Sequence, residues 1–140
     1  MLGEDIADVS GQLTGTKVLE SDGPAKIEAS IKGSGKLLGL DATVIGTYWQ
    51  TILGEGRLYG EGRVVMMTSD GGVAKWTGFG IGSVTGSGFS SGWGVCGHFQ
   101  TDSPNLERLN DVATVSEYDS DENGDWTWHI TEWKSKAASG

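Results

Sequence analysis

The sequence contains few of the residues that usually build metal or redox sites. Its 140 residues include one cysteine, Cys96, two prolines and two histidines. A single cysteine excludes an intramolecular disulfide and a cysteine-based zinc site, and two histidines exclude a three-histidine zinc site. So little proline also excludes a collagen-like chain. We therefore expect no bound metal and no other cofactor.

Basic residues are also scarce, since ten Lys and Arg face nineteen Asp and Glu, for a net charge of −9. Nucleic acids and anionic membranes attract basic surfaces, so we expect neither as a partner. No stretch approaches the roughly 20 apolar residues of a membrane span. The first twenty residues carry Glu4, Asp5 and Asp8 and do not resemble a signal peptide. These observations predict a cytoplasmic protein.

Glycine is the residue in excess, with 24 copies against an average usage of roughly 7%. Six tryptophans and a hydrophobic content of 36% exclude a flexible linker or a disordered chain. The length suits one domain with one core. We assign residues 1–134 to a single β-barrel domain and residues 135–140 to a flexible C-terminal tail.

Short runs rich in Val, Ile, Thr, Tyr and Trp, broken by Gly, Asp and Ser, predict an all-β fold. The clearest alternation places Ile27, Ala29 and Ile31 on one strand face. The third of the expected strands is short enough to merge with a neighbour. The expected strands are 8–20, 25–34, 36–41, 43–53, 57–68, 73–85, 88–101, 112–119 and 125–134.

Residues 103–110 differ from the rest of the chain. Ser103 and Pro104 suit the start of a helix, and Leu106 and Leu109 have helical spacing. This segment predicts one short helical turn that plugs an end of a barrel.

Glycine also recurs inside the predicted strands. Gly78, Gly80 and Gly82 alternate on one strand face, and positions 60/62 and 92/94 repeat the pattern. Because glycine weakens a flat strand, such rows indicate strong coiling or room for a large ring from a neighbouring strand. Both favour a single antiparallel β-barrel of about eight strands, which leaves no free sheet edges.

Several motifs resemble those of small uncharacterised bacterial proteins. They lie at residues 35–39, 46–49, 58–62, 76–80, 99–106 and 121–124. The overall pattern is similar to barrels of the allene oxide cyclase and dirigent type. The resemblance implies a β-barrel with a ligand cavity in its interior. It carries no catalytic residue over, because no catalytic motif of the cyclase matches this sequence.

The acidic segment 119–125 resembles the first half of an EF-hand calcium loop. Ile130 stands where that loop needs a bidentate Glu. The segment also contains Asn123-Gly124, the strongest hairpin signal in the chain. The alternatives are an acidic hairpin turn and a weak surface calcium site.

Five polar side chains are candidate catalytic residues: Tyr48, Tyr59, Glu61, His98 and His129. Tyr59 and Glu61 share a strand face with Arg63. That face is either an ordinary charged outer surface or, if it points inward, a buried charged pair beside a phenol.

Two pairings of these candidates remain open. Counted outward from a two-residue turn at Asn123-Gly124, Tyr118 lies opposite His129, as an acid/base couple or as a structural pair. Cys96 and His98 share a strand face at a spacing of roughly 6.5–7 Å. They are either a buried cysteine beside a hydrogen-bonded histidine or a nucleophile with its base.

The candidate ligand-binding residues are Trp49, Trp76, Trp93, Cys96 and Tyr118. Tryptophan that faces glycine can form an apolar slot for a small molecule, or tryptophan outside a barrel can form an oligomer interface. The leading interpretation is a small-molecule-binding barrel with an apolar or amphipathic ligand. The alternatives are a cyclase- or isomerase-like enzyme for a hydrophobic substrate and a structural homo-oligomer without a ligand site.

Overall fold

The computed structural model describes residues 1–136 and shows a closed barrel of eight antiparallel strands. Each strand pairs with the next along the chain, and β8 pairs with β1 to close the barrel. The predicted all-β barrel is therefore confirmed. The strands are β1 (Leu2–Glu20), β2 (Lys26–Leu37), β3 (Leu40–Ile52), β4 (Arg57–Thr68), β5 (Val73–Val84), β6 (Ser91–Gln100), β7 (Ala113–Ser120) and β8 (Asp125–Trp133).

Two of the predicted strand boundaries need correction. The first strand begins at Leu2 rather than at residue 8, because its early residues pair with the end of β8, where Leu2 lies opposite Trp133. The short strand predicted at 36–41 does not exist separately. Leu38 and Gly39 both have positive φ, at 50° and 80°, and form the tight turn between β2 and β3. Residues 36–37 end β2 and residues 40–41 begin β3, so the predicted strand is divided between its two neighbours.

Buried and exposed side chains alternate along the strands, as period-2 geometry requires. The inward-facing set fills the barrel interior, here called the lumen, with aliphatic and aromatic groups. Its largest fully buried members are Trp126, Ile6, Leu37, Met66, Leu106, Leu109, Ile130 and Val44.

The glycine rows make room for tryptophan rings, as the sequence predicts. A Cβ atom at Gly97 would lie 2.3 Å from Cζ2 of Trp76, and one at Gly78 would lie 2.4 Å from Cη2 of the same ring. A Cβ atom at Gly82 would lie 2.5 Å from Cδ2 of Trp93. Real Cβ contacts are longer, so any side chain at these positions would displace the indoles.

A 3-10 helix, η2 (Pro104–Asp111), confirms the helical turn expected at 103–110. Leu106 and Leu109 are fully buried, which fixes this helix against the barrel interior. Ser103 does not cap the helix with its side chain. Its hydroxyl instead accepts a hydrogen bond from the backbone N–H of Val73, at 2.9 Å, and ties the helix to the start of β5. A second 3-10 helix, η1, spans Gly54–Gly56.

The last hairpin has a different register from the predicted one. The backbone N–H of Asp121 donates to the carbonyl of Asp125, which leaves a three-residue loop. Gly124 has φ of 85°, while Asn123 does not have positive φ. This geometry is a type I turn followed by a left-handed glycine, not the two-residue type I′ turn. Glu117 therefore lies opposite His129, and Tyr118 opposite Trp128.

Strand β1 extends beyond the end of β8, its partner at one of its two edges. Its pairing with β8 ends where Gln12 lies opposite Asp125, whereas β2 accompanies β1 as far as Glu20. Within residues 1–136, no strand pairs with the other edge of residues 14–20. We call these residues the free edge of β1.

The division into a single domain at 1–134 and a tail at 135–140 stays a prediction. Residues 137–140 of the predicted tail lie outside the described residues. In the described part, Lys134 still donates its backbone N–H to Met1. No helix of that part has the length and apolar character needed to cross a membrane.

Candidate functional site

Six aromatic rings from five strands meet in the lumen. Trp76 and Trp128 contact each other edge to face with ring centroids 4.8 Å apart, and Tyr48 and Tyr118 do so at 5.6 Å. Such geometries add to the free energy gained by burial alone. The six residues are Tyr48 on β3, Trp76 on β5, Trp93 on β6, Tyr118 on β7, and Trp126 and Trp128 on β8.

Three of the buried indole N–H groups donate to hydroxyl groups on strands β6 and β7. These hydroxyls also bond elsewhere; Thr114, for example, donates to the carbonyl of Gly97 at 2.8 Å. The indoles are thus held in fixed orientations, because each buried donor has an acceptor. The pairs are Trp76 with Thr114 at 3.4 Å, Trp93 with Ser91 at 2.9 Å and Trp128 with Ser116 at 2.9 Å.

Two other buried polar atoms have no hydrogen-bond partner of normal geometry within residues 1–136. They are the hydroxyl of Tyr118 and the Nε1–H of Trp126. The two rings are stacked, with centroids 5.8 Å apart and planes inclined by 24°. The side chains are 7% and 1% exposed, so bulk water does not satisfy them. An unpaired buried donor costs about 1–3 kcal/mol, which makes this pair the place in the lumen most in need of an acceptor.

A small cavity lies between the aromatic rings and one wall of the barrel. Its volume is about 60 Å³. The wall consists of four glycines that carry no side chain into the lumen: Gly60 lies opposite Gly80, and Gly62 opposite Gly78. Tyr118 lines the cavity. A cavity of about 150 Å³ is known to hold benzene, so the room here suits only a smaller molecule.

The two phenols at the cavity are hydrogen-bond donors rather than bases. Burial raises the pKa of Tyr118, and the nearby Tyr48 phenol raises it further. Burial also raises the pKa of Tyr48, although interaction with Tyr118 partly offsets this effect. Both groups therefore keep their protons at neutral pH. The contact between them influences ionisation but is not a well-formed hydrogen bond for the Tyr118 hydroxyl.

The charged face of β4 lies outside the barrel, which decides one alternative left open by the sequence. The Glu61 carboxylate accepts from Trp49 Nε1 at 3.0 Å and from the Tyr59 hydroxyl at 3.2 Å. The Arg63 guanidinium lies 5.6 Å from the centroid of the Trp49 ring. Glu61 is one of the residues around the cavity, but its carboxylate points outward, toward Trp49 and Tyr59. The interpretation of a buried charged pair in the lumen is wrong.

The two histidines and the cysteine also lie on the outer surface. Cys96 and His98 share a face as predicted, but both are exposed, so the buried-cysteine interpretation is wrong. His129 is exposed and contacts the Asp5 carboxylate at 3.1 Å. Because the hairpin register differs by one residue, His129 and Tyr118 lie on opposite faces of the sheet, and the proposed couple between them does not form.

The structure thus divides the sequence-predicted site residues into two groups. Tyr48, Trp76, Trp93 and Tyr118 meet at the cavity. The outer surface carries the others, namely Trp49, Tyr59, Glu61, Cys96, His98 and His129.

The sequence-based list also lacks Trp126 and Trp128, which complete the ring cluster. Their alternation with exposed Asp125, Thr127 and His129 is the signal that would have placed them inside.

Comparison with known proteins identifies the fold and not the activity. No family model matches the chain, and no curated protein matches it. Its fold is similar to that of a conserved protein of unknown function from Rhodopseudomonas palustris, with a TM-score of 0.79, 16% identity, and coverage of 94% of this chain and 97% of the other. A β-barrel-like protein from Acinetobacter baumannii has a TM-score of 0.78 and 18% identity, over 95% and 96% of the chains.

A third similar structure is an enzyme from Penicillium herquei. It has a TM-score of 0.66 and 17% identity, and the match covers 92% of each chain. At such identities the likeness extends to the fold alone. The chain is therefore a small eight-stranded β-barrel of a type that includes bacterial proteins of unknown function.

Proposed function

We propose that the protein binds a small, largely apolar molecule in the lumen of the barrel. The observation that supports this most directly is the cavity of about 60 Å³ bounded by aromatic rings on one side and by bare glycine backbone on the other. Ligand sites are typically apolar concavities with a few placed polar groups. The Tyr118 and Tyr48 hydroxyls are such groups here.

The size of the cavity restricts the ligand. Six large rings occupy most of the lumen, so the bound part of the molecule is a few heavy atoms in size. A larger ligand would have to move one of the indoles, three of which are hydrogen-bonded in place. We also propose that the barrel is similar to those of the allene oxide cyclase and dirigent type. We further propose a cytoplasmic location.

Xenon tests this proposal because it fills small apolar cavities without needing a polar partner. We expect xenon under pressure to shift the amide NMR signals of Gly62, Gly78 and Gly80. Val64→Ile should weaken the effect, since Val64 lines the cavity and the added methyl group enters it. Val65→Ile is the matched control, because Val65 is the next residue on the same strand and faces outward. Equal responses in both variants, or none in the wild type, would contradict the proposal.

Catalysis in the same lumen is the second candidate function, because one barrel of this fold is an enzyme. The neutral phenols suit stabilisation of a developing oxyanion. The ionisable side chains that point into the cavity, within residues 1–136, are these two phenols, so a base would have to come from solvent.

Acetone in D₂O gives a simple test of catalysis. A solvent base would remove a methyl proton, Tyr118 would donate a hydrogen bond to the enolate oxygen, and a deuteron would return to carbon. Catalysis predicts that exchange of the methyl protons is faster than in buffer and that Tyr118→Phe abolishes the acceleration. If the methyl protons of acetone exchange no faster than in buffer, the lumen has a binding function and no catalytic one.

A further inference from the structure

The stacked pair Tyr118 and Trp126 defines the chemistry of the ligand more closely. Both side chains are more than nine-tenths buried, and both polar atoms lack an acceptor within the described residues. Tyr118 lines the cavity. The other three lumen indoles have their hydroxyl acceptors, so the shortage of acceptors is confined to this pair.

We propose that the lumen ligand carries a hydrogen-bond acceptor, such as a carbonyl oxygen, that binds the Tyr118 hydroxyl; this inference rests on the binding function proposed above. An acceptor in the cavity relieves the unpaired donor, whereas a hydrocarbon of the same shape leaves it unpaired. A ligand with hydrogen-bond donors and no acceptor would leave the Tyr118 hydroxyl proton unpaired. Trp126 does not line the cavity, but its ring is stacked on that of Tyr118 with centroids 5.8 Å apart, so its Nε1–H signal reports a change at the phenol.

Acetone and isobutene form a matched pair of probes, since they differ only by C=O against C=CH₂. We expect acetone to bind about tenfold more tightly to the wild type than to Tyr118→Phe, and isobutene to bind both equally. The readout is the indole N–H signals in ¹⁵N-labelled protein, in which the Trp126 signal should move with acetone. Tyr59→Phe is the control, because it removes a phenol hydroxyl from the outer face.

The outcomes separate the two proposals. If acetone and isobutene bind with equal affinity and Tyr118→Phe changes neither, the acceptor inference is overturned while the binding function stands. If a bound water alone satisfies Tyr118, acetone will not displace it and the Trp126 signal will stay fixed, which also overturns the inference. If xenon, isobutene and acetone all fail to bind, the binding function itself is wrong.

A second inference concerns the free edge of β1, residues 14–20. Unpaired strand edges expose a row of N–H and C=O groups that can pair with another strand. This edge also carries exposed apolar side chains, since Val18 is 65% exposed and Leu19 is 41% exposed. The rest of the barrel is closed, so this segment is where strand pairing remains available in the described chain.

The sequence of residues 17–20 is complementary to itself when two copies run antiparallel. Lys17 of one chain then lies opposite Glu20 of the other, and Val18 lies opposite Leu19. Lys17 and Glu20 are three residues apart, yet both charges face the outer side of the sheet, because a bulge between Val18 and Glu20 places Lys17 opposite Glu28 and Glu20 opposite Lys26 on β2. Opposite charges directly across a ladder are favourable, and like charges are unfavourable. We infer that the free edge pairs with a second copy of this chain in a two-fold dimer.

Charge reversal tests this arrangement. Each variant also creates one like-charge pair inside its own barrel, with Glu28 or Lys26 on β2, and this pair is the same in the single variant and in the mixture. Lys17→Glu places Glu against Glu20 twice in a homodimer, and Glu20→Lys places Lys against Lys17 twice. Each variant alone should dimerise about tenfold more weakly. An equimolar mixture of the two restores both opposite-charge pairs and should form a heterodimer of wild-type affinity. Lys32→Glu is the control, because Lys32 is exposed on β2 away from the free edge.

Sedimentation velocity over a concentration series measures the result. The wild type should rise from the monomer mass of 14.7 kDa toward twice that value. A wild type that stays monomeric at about 1 mM, where association would be only about 4 kcal/mol, overturns the inference. A dimer that both single variants preserve also overturns it, since the contact then lies elsewhere, such as the exposed Phe79 and Ile81 on β5.

Discussion

The indole of Trp76 lies directly against the backbone of Gly97, so that a Cβ atom there would come 2.3 Å from Cζ2 of the ring. The two residues sit on adjacent strands, β5 and β6. The contact explains why a strand interior tolerates glycine at this position: the ring occupies the volume that a side chain would need.

We expect Gly97→Ala to lower the free energy of unfolding by about 1–3 kcal/mol, the usual cost of overpacking a core. Gly94→Ala is the matched control on the same strand, because no atom of the described residues lies within 4 Å of a Cβ atom at Gly94. That change should leave stability unchanged or raise it by a few tenths of a kcal/mol. Urea unfolding of both variants measures the difference. Equal losses would mean that the ring does not rest on Gly97.

Trp126 and Trp128 offer a second matched comparison, since both indoles are buried on the same strand. Trp128 donates to Ser116 at 2.9 Å, whereas Trp126 Nε1–H has no partner among residues 1–136. Substitution by Phe removes similar volume from each but a hydrogen bond from only one. Trp128→Phe should therefore cost about 1–3 kcal/mol more than Trp126→Phe, as measured by chemical denaturation. The reverse order would show that the Trp126 N–H is satisfied in solution.

The buried phenols predict a loss of stability at alkaline pH. The folded pKa of Tyr118 and of Tyr48 is raised above the ordinary value near 10. Below about pH 10 both folded and unfolded phenols are protonated, so this contribution to stability is constant. Above it the unfolded state loses protons that the folded state keeps, and stability falls as pH rises.

Absorbance at 295 nm reports this ionisation. We expect the signals of the buried tyrosines to appear together with unfolding, and Tyr118→Phe to reduce the slope of stability against pH above pH 10. Tyr59 is exposed, so its phenol can ionise in the folded protein. A second phenol that titrates near pH 10 while the far-UV circular dichroism stays native would contradict the burial of Tyr118 and Tyr48.

The last hairpin provides a prediction about turn type. Gly124 has φ of 85°, and a Cβ atom there would come 3.2 Å from Leu13. Gly124→Ala should cost about 1–2 kcal/mol, since an L-residue is strained in that region. Asn123→Ala should cost less than about 0.5 kcal/mol, because its φ is not positive. A large loss at Asn123 in thermal unfolding would favour the type I′ turn instead.

The barrel and its glycine rows could be predicted from sequence, because alternation and turn residues are local signals. About eight strands predicted a closed sheet. The six tryptophans predicted that some strand positions must leave space for an indole ring, and Gly78 and Gly82 are such positions. The short strand at 36–41 could not be resolved, since Leu38 adopts positive φ without being Gly or Asn.

The candidate site was harder to predict, because it depends on which face of each strand points inward. Trp49 and Tyr48 are adjacent in sequence, and composition does not say that the larger ring lies outside. A one-residue difference in the loop before Gly124 moved His129 from the expected partner of Tyr118 to the opposite face. Register is a property of the whole hairpin, so single residues could not reveal it.

The four-glycine wall gives the outer surface a direct connection with the interior. Between the cavity and Phe79 there is only the thickness of one backbone, and Cys96 lies opposite Phe79 on the next strand. Cys96 is exposed and is the only cysteine in the sequence. A thiol-reactive fluorophore or spin label on the unmodified protein would therefore sit beside the thinnest part of the barrel and report occupancy of the lumen from outside.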